Sequence, residues 1–172
     1  SFNGNKIITT GGGGLIATND VHLAKRAKHL TTTAKIPHDF EYCHDETGYN
    51  YRMPNINAAL GLAQMENFKL ILERKRKIAD RYKSFFSKTN FQFIEPRENS
   101  TTNFWLNAII TNDRKLRDEF LKKTNKAGVM TRPIWRLMPE LPMYSHCQSD
   151  DLFNSKWLVD RVVNIPSSVP II

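Results

Sequence analysis

Four consecutive glycines, Gly11–Gly14, constrain this chain more than any other feature. Glycine loses the most backbone freedom on ordering and offers no side chain to pack, so a run of it breaks helix and strand alike. Ile7-Ile8-Thr9-Thr10 precedes the run and Leu15-Ile16-Ala17-Thr18 follows it. These β-branched and apolar flanks predict two short strands, over 7–10 and 15–18, joined by the glycines. Glycine also admits positive φ and close approach of another group. The run therefore marks either a loose hairpin or a crowded site. Lys6 stands at its edge. A lysine there is either a solvated strand-end residue or, once desolvated, an amine nucleophile able to attack a carbonyl.

Beyond the glycines, Asn19-Asp20 is an N-cap signal for a helix over 21–30. Its Leu23, Ala24, Ala27 and Leu30 share one face, with Lys25, Arg26 and Lys28 on the other. No period survives from Thr31 to Tyr49, which reads as a long loop. His29, His38 and His44 match no standard ligand spacing, and no metal is expected. Asn55 then leads a helical pattern that continues to about Phe86, with Ile56, Ala59, Leu60 and Ala63 on one face. That is long for one globular helix, so a bend or break is expected over 67–69. Glu73-Arg74-Lys75-Arg76-Lys77 and Arg81 read as a solvated charged face.

A polar connector over 98–102 separates this helix from an alternation of elements. A strand is predicted over 104–110 and a helix over 113–126, closed by Gly128 at C′. A strand from Val129, a Pro-rich loop, a helix over 152–159 and a strand over 162–165 complete a small α/β domain. The boundary falls within 87–103, which divides the chain into 1–87 and 88–172.

The formal net charge of +8 favours polyanionic ligands. Nucleic acid is not expected, because aromatic residues do not interleave with the lysines and no zinc-finger, basic-zipper or RNP pattern occurs. Cys43 and Cys147 lie far apart and read as reduced thiols of a cytoplasmic protein. The chain opens with Ser rather than Met, shows no signal peptide and has no apolar run of membrane-spanning length. A fragment or processed chain is therefore expected.

Two motifs carry a resemblance. Ser1-Phe2 with Lys6, Thr9-Thr10-Gly11 and Gly13-Gly14 form the first. Gly48-Tyr49-Asn50-Tyr51-Arg52-Met53, opening a helix with Ala58-Ala59 and Gly61-Leu62-Ala63-Gln64, forms the second. In this order and separation they resemble the DegT/DnrJ/EryC1/StrS sugar-nucleotide aminotransferases, which depend on pyridoxal 5′-phosphate (PLP). Thr131-Arg132-Pro133-Ile134-Trp135 and Asn164-Ile165-Pro166-Ser167-Ser168 look like the branch that aminates UDP-linked 4-keto-6-deoxy sugars on the way to bacillosamine or legionaminic acid.

The resemblance implies part of a fold-type I PLP-dependent transferase: the end of the large domain, a long linking helix and a small α/β C-terminal domain. It implies that Lys6 carries PLP covalently, that Ser1 binds the PLP phosphate, and that Asn50 reaches the phosphate of a neighbouring protomer's cofactor. The active site would then be shared across a homodimer. Tyr49, Arg52, Arg132 and Trp135 become candidate substrate contacts, a UDP-linked keto sugar the acceptor, and glutamate the amino donor. Gly12 stands where the family commonly has Glu. The family's partner for the pyridine nitrogen, its ring-stacking aromatic and its phosphate cup belong to an N-terminal half outside these 172 residues, so this stretch alone is expected to be inactive. Two rival readings are a basic α/β binding module and a non-catalytic truncated relative.

Overall fold

The computed structural model describes residues 1–169. The chain divides into two compact units, Ser1–Lys69 and the residues from Leu70 onward. The sequence boundary within 87–103 attaches the long helix to the first part, whereas the compact units divide at its start.

In the first unit, residues 1–20 form loops, and the two strands expected around the glycines do not form. The reason lies in where the backbone groups go. Phe2 donates its N–H to the Gly13 carbonyl at 2.9 Å and accepts from Thr10 N–H at 3.0 Å, which folds the segment back on itself. Only a single parallel bridge, Asn3 to Gly11, remains. Helix α1 spans Val21–Thr31, and Asp20 caps it through the N–H groups of His22 (2.8 Å) and Leu23 (3.1 Å). The stretch read as an aperiodic loop contains a small antiparallel hairpin, β1 (Lys35–Ile36) with β2 (Cys43–His44). Two-residue strands carry too little alternation to register as a pattern.

Helix α2 spans Asn55–Glu66 and α3 spans Phe68–Phe86, so the break falls at Asn67, inside the expected interval. The apolar face of α2 is exposed, with Ile56 83% and Met65 55% accessible. Its covered positions are Asn57, Gly61 and Gln64.

The second unit packs α3 on a four-stranded sheet ordered β3-β4-β6-β5 and antiparallel throughout. The strands are β3 (Gln92–Phe93), β4 (Asn107–Ile110), β5 (Arg132–Pro133) and β6 (Val162–Ile165). Helix α4 covers Arg114–Lys126, capped by Asp113, and α5 covers Phe153–Val159. Gly128 takes the positive φ expected at C′. Ala79, Phe86, Phe93, Ile109, Val163 and Ile165 form the core, with Tyr82, Phe91 and Phe120 packed on it. Full burial of a side chain such as Ile109 or Val163 contributes roughly 1.5–3 kcal/mol.

Lys75, placed by sequence on the solvated face of α3, is buried at 8% exposure. It falls on the same face as Ala79, Tyr82 and Phe86, and its ammonium donates to the carbonyls of Ser167 (2.5 Å) and Trp105 (3.4 Å). Burial lowers its pKa.

Candidate active site

The loop carrying Lys6 is closed at its base and pinned on one leg. The Lys6 N–H donates to the Asn3 carbonyl at 3.0 Å, making a tight turn, and Lys6 is half-buried. The Phe2 carbonyl accepts from both Thr10 N–H and the Thr9 hydroxyl, each at 3.0 Å. Thr10 is buried, and its hydroxyl donates to the Gly12 carbonyl. Gly11 (φ +79°) and Gly13 (φ +86°) take left-handed conformations that turn the chain back towards Ser1.

Helix α2 supplies the pin. Asn57 donates its side-chain amide to the Thr10 carbonyl, and Gln64 accepts the Thr9 N–H at 3.4 Å. Between them, a Cβ on Gly61 would lie 2.9 Å from the Thr10 methyl, so only glycine lets the segment seat there without displacement. The spacing 57, 61, 64 is one helical face. Gly61 and Gln64 fall in the second sequence motif, whereas Asn57 was not singled out from sequence. The signal was available: polar, small, polar at i, i+4, i+7 on a helix whose apolar residues lie elsewhere.

The second motif runs along the C-terminal end of α1. Tyr49 N–H donates to Leu30 (2.7 Å) and Tyr51 N–H to Thr31 (2.9 Å), and Thr32 bridges Asn50. Tyr49 and Tyr51 stack with ring centres 5.4 Å apart. The Asn50 side chain accepts the Arg52 N–H at 3.4 Å. The hairpin just before this motif is held by charge. Arg26 pairs with Glu46, and His29 contacts Asp45 at 2.6 Å. The hydrogen bond from Arg26 lowers the Glu46 pKa, and that from His29 lowers the Asp45 pKa. His44 bonds the Thr33 carbonyl, and His38 accepts from Glu41 N–H, so the histidines serve separate local contacts. His29, Asp45 and Glu46 offer ligand atoms within 4.8 Å of one another, and the same side chains make the Arg26–Glu46 pair and the His29–Asp45 hydrogen bond.

A cleft of about 1160 Å³ opens in this unit, lined in part by Ser1, Gly12–Gly14 and Arg52. It brings together Ser1 and Arg52 of the expected site residues. Lys6, Tyr49 and Asn50 are not among the described residues that line it. Arg132 and Trp135 belong to the second unit, where both are exposed. The donor set around the Lys6 loop fits PLP chemically: a primary amine in a closed turn, with a serine hydroxyl and a glycine-rich backbone at its base.

The profile of the DegT/DnrJ/EryC1/StrS aminotransferase family matches residues 1–171. GDP-perosamine synthase of Escherichia coli O157:H7 is 38% identical over 172 residues, covering 97% of this chain and 45% of that protein. GDP-perosamine synthase of Caulobacter vibrioides is 35% identical over 88% of this chain and 42% of its own length. Among solved structures, Helicobacter pylori PseC, an aminotransferase of pseudaminic acid biosynthesis, superposes with a TM-score of 0.86 at 21% identity, over 96% of this chain and 46% of that one, a similarity of fold. The chain belongs to the DegT/DnrJ/EryC1/StrS aminotransferase family. Aminotransferases of this family are PLP-dependent sugar aminotransferases, and the fold is the expected part of that α/β transferase. The chain spans about half the length of the relatives it matches.

Proposed function

We propose that this chain is the C-terminal part of a PLP-dependent aminotransferase that moves an amino group from glutamate to the C4 ketone of a nucleoside-diphosphate-linked 6-deoxy sugar. The observation that carries the reading is the closed Phe2–Gly13 turn, which holds a half-buried Lys6 in a chain of this family. The first unit then completes the large, cofactor-binding domain and α3 links it to the small domain.

When bound, PLP supplies the carbonyl that receives the amino group and the conjugated ring that delocalises charge at the reacting carbon. Lys6 would hold the cofactor through Nζ and, once released, its amine would move a proton between two carbons of the reacting group. Ser1 would donate its hydroxyl to the cofactor phosphate, and Asn50 would donate its side-chain amide to the phosphate held by the neighbouring protomer, so that the working unit would be a homodimer. Arg52, on the cleft wall, offers a bidentate guanidinium to the substrate diphosphate, and Tyr49, next to Asn50, is a second candidate contact. Arg132 and Trp135 serve the nucleotide or sugar.

For the nucleotide, the resemblance of the later segments points to UDP, while relatives 38% and 35% identical are GDP-perosamine synthases. We take GDP. Two unbridged, exposed cysteines are in keeping with a cytoplasmic setting. The test supplies the complete enzyme with PLP, glutamate and matched GDP- or UDP-linked 4-keto-6-deoxy sugars, and weighs the products. Amination of the GDP sugar, abolished by Lys6→Ala, is expected. Amination of only the UDP sugar would reverse the nucleotide assignment, and turnover surviving Lys6→Ala would remove Lys6 from the mechanism.

A further inference from the structure

The geometry points to α2 as the element that sets the position of Lys6, with Asn57, Gly61 and Gln64 as positioning residues acting through Thr9 and Thr10. This inference rests on the reading of Lys6 as the cofactor-bearing lysine.

Three observations converge. Asn57, Gly61 and Gln64 are the α2 positions that are covered, while its apolar residues stay exposed. A helix whose partly covered positions are polar and small is holding something specific rather than filling a core. What it holds is backbone: the Thr10 carbonyl by Asn57 and the Thr9 N–H by Gln64. Threonine 9 and threonine 10 then fasten to the Phe2 carbonyl across the base of the Lys6 turn. A displacement at Thr10 is passed on to the Lys6 backbone through the Phe2 carbonyl and the Asn3–Lys6 turn. Thr10 has little freedom to absorb one. Its χ1 is stiff, and rotating it would break the bond from its hydroxyl to Gly12.

Gly61 separates this role from stability. It lies within α2 and has no positive φ, so alanine suits the helix better than glycine. Yet a Cβ there meets the Thr10 methyl at 2.9 Å and forces the segment to move. Thr10→Ser removes that methyl and keeps the hydroxyl.

The experiment uses the complete PLP-loaded enzyme and compares wild type, Gly61→Ala, Thr10→Ser and the double variant. In each, the pH titration of the visible PLP–lysine band, kcat and KM, and Tm are measured. Gly61→Ala is expected to change the acid–base ratio of the band at fixed pH by about threefold, or about half a pKa unit. It should lower kcat with KM for the sugar nucleotide retained and with Tm still above the assay temperature, and the double variant should return the titration and kcat towards wild type. An unshifted titration in Gly61→Ala, or a shift that Thr10→Ser fails to relieve, overturns the inference.

Gln64→Met and Gln64→Glu give an independent arm. The first removes the acceptor for Thr9 N–H and should shift the band. The second keeps an acceptor and should not. Equal behaviour of the two overturns the role of Gln64. Borohydride reduction and peptide mapping of the wild type accompany the series. Label on a lysine other than Lys6 sinks the underlying assignment, whereas label on Lys6 with unaffected variants sinks only the positioning role.

Discussion

Lys75 shows how a single side chain can contradict its sequence neighbours. It sits in a run of charges, yet the 3.6-residue period puts it in register with Ala79, Tyr82 and Phe86, and the period prevails over composition. Its stem packs along the core and its ammonium ends on two carbonyls of the second unit. Because burial lowers its folded pKa below the ordinary 10.5, an interval exists in which the unfolded chain still holds a proton that the folded chain has released. Stability therefore rises with pH through that interval on account of this group. Tyr82 and Lys83 also titrate at high pH, so the comparison must be differential. Urea unfolding of wild type and Lys75→Met should show a gap that moves in favour of wild type as the pH is raised towards 10.5. Parallel profiles would mean that Lys75 is not buried as an amine. Lys6, Ser1, Asn50 and Arg52 are proposed from motifs alone, while the contacts of Asn57 and Lys75 needed the helices placed in space.

Elements with capping chemistry were legible. Asp20 announced α1, whereas Asp113, read as the first residue of its helix, proves to be the cap of α4, and the break at Asn67 followed from length alone. The strands expected over 7–10 and 15–18 were not, because β-branched composition says nothing about where the backbone finds partners, and here the partners are Phe2 and Gly13. Two substitutions test the element scale. Asp113→Ala removes the acceptor for Leu116 N–H at 2.8 Å and should cost about 1 kcal/mol in denaturant unfolding. Gly48 runs against the Thr33–Ala34 backbone, itself held at φ +70° and +50° around the fully buried Ala34. A methyl at Gly48 collides with that backbone. Gly48→Ala should cost about 1–3 kcal/mol and weaken sugar-nucleotide binding by displacing Tyr49–Arg52. A variant of wild-type stability and KM would show that the crossing yields freely.

At the scale of the molecule, a net charge of +8 suits a diphosphate-bearing substrate, and no helix among the described residues is long and apolar enough to cross a membrane. The exposed apolar faces of α2 and of Leu15–Ile16 belong to a chain that spans about half of its relatives. The 172-residue stretch on its own is expected to show no transamination, and turnover by it would contradict the shared-pocket account. The fold class was legible because two motifs in fixed order identify one family. The central claim is that Lys6 bears the cofactor. Borohydride reduction of the complete PLP-loaded enzyme, followed by peptide mapping, tests it most directly. The account predicts a single labelled peptide with the pyridoxyl group on Lys6. Label on any other lysine, with Lys6 unmodified, would contradict it.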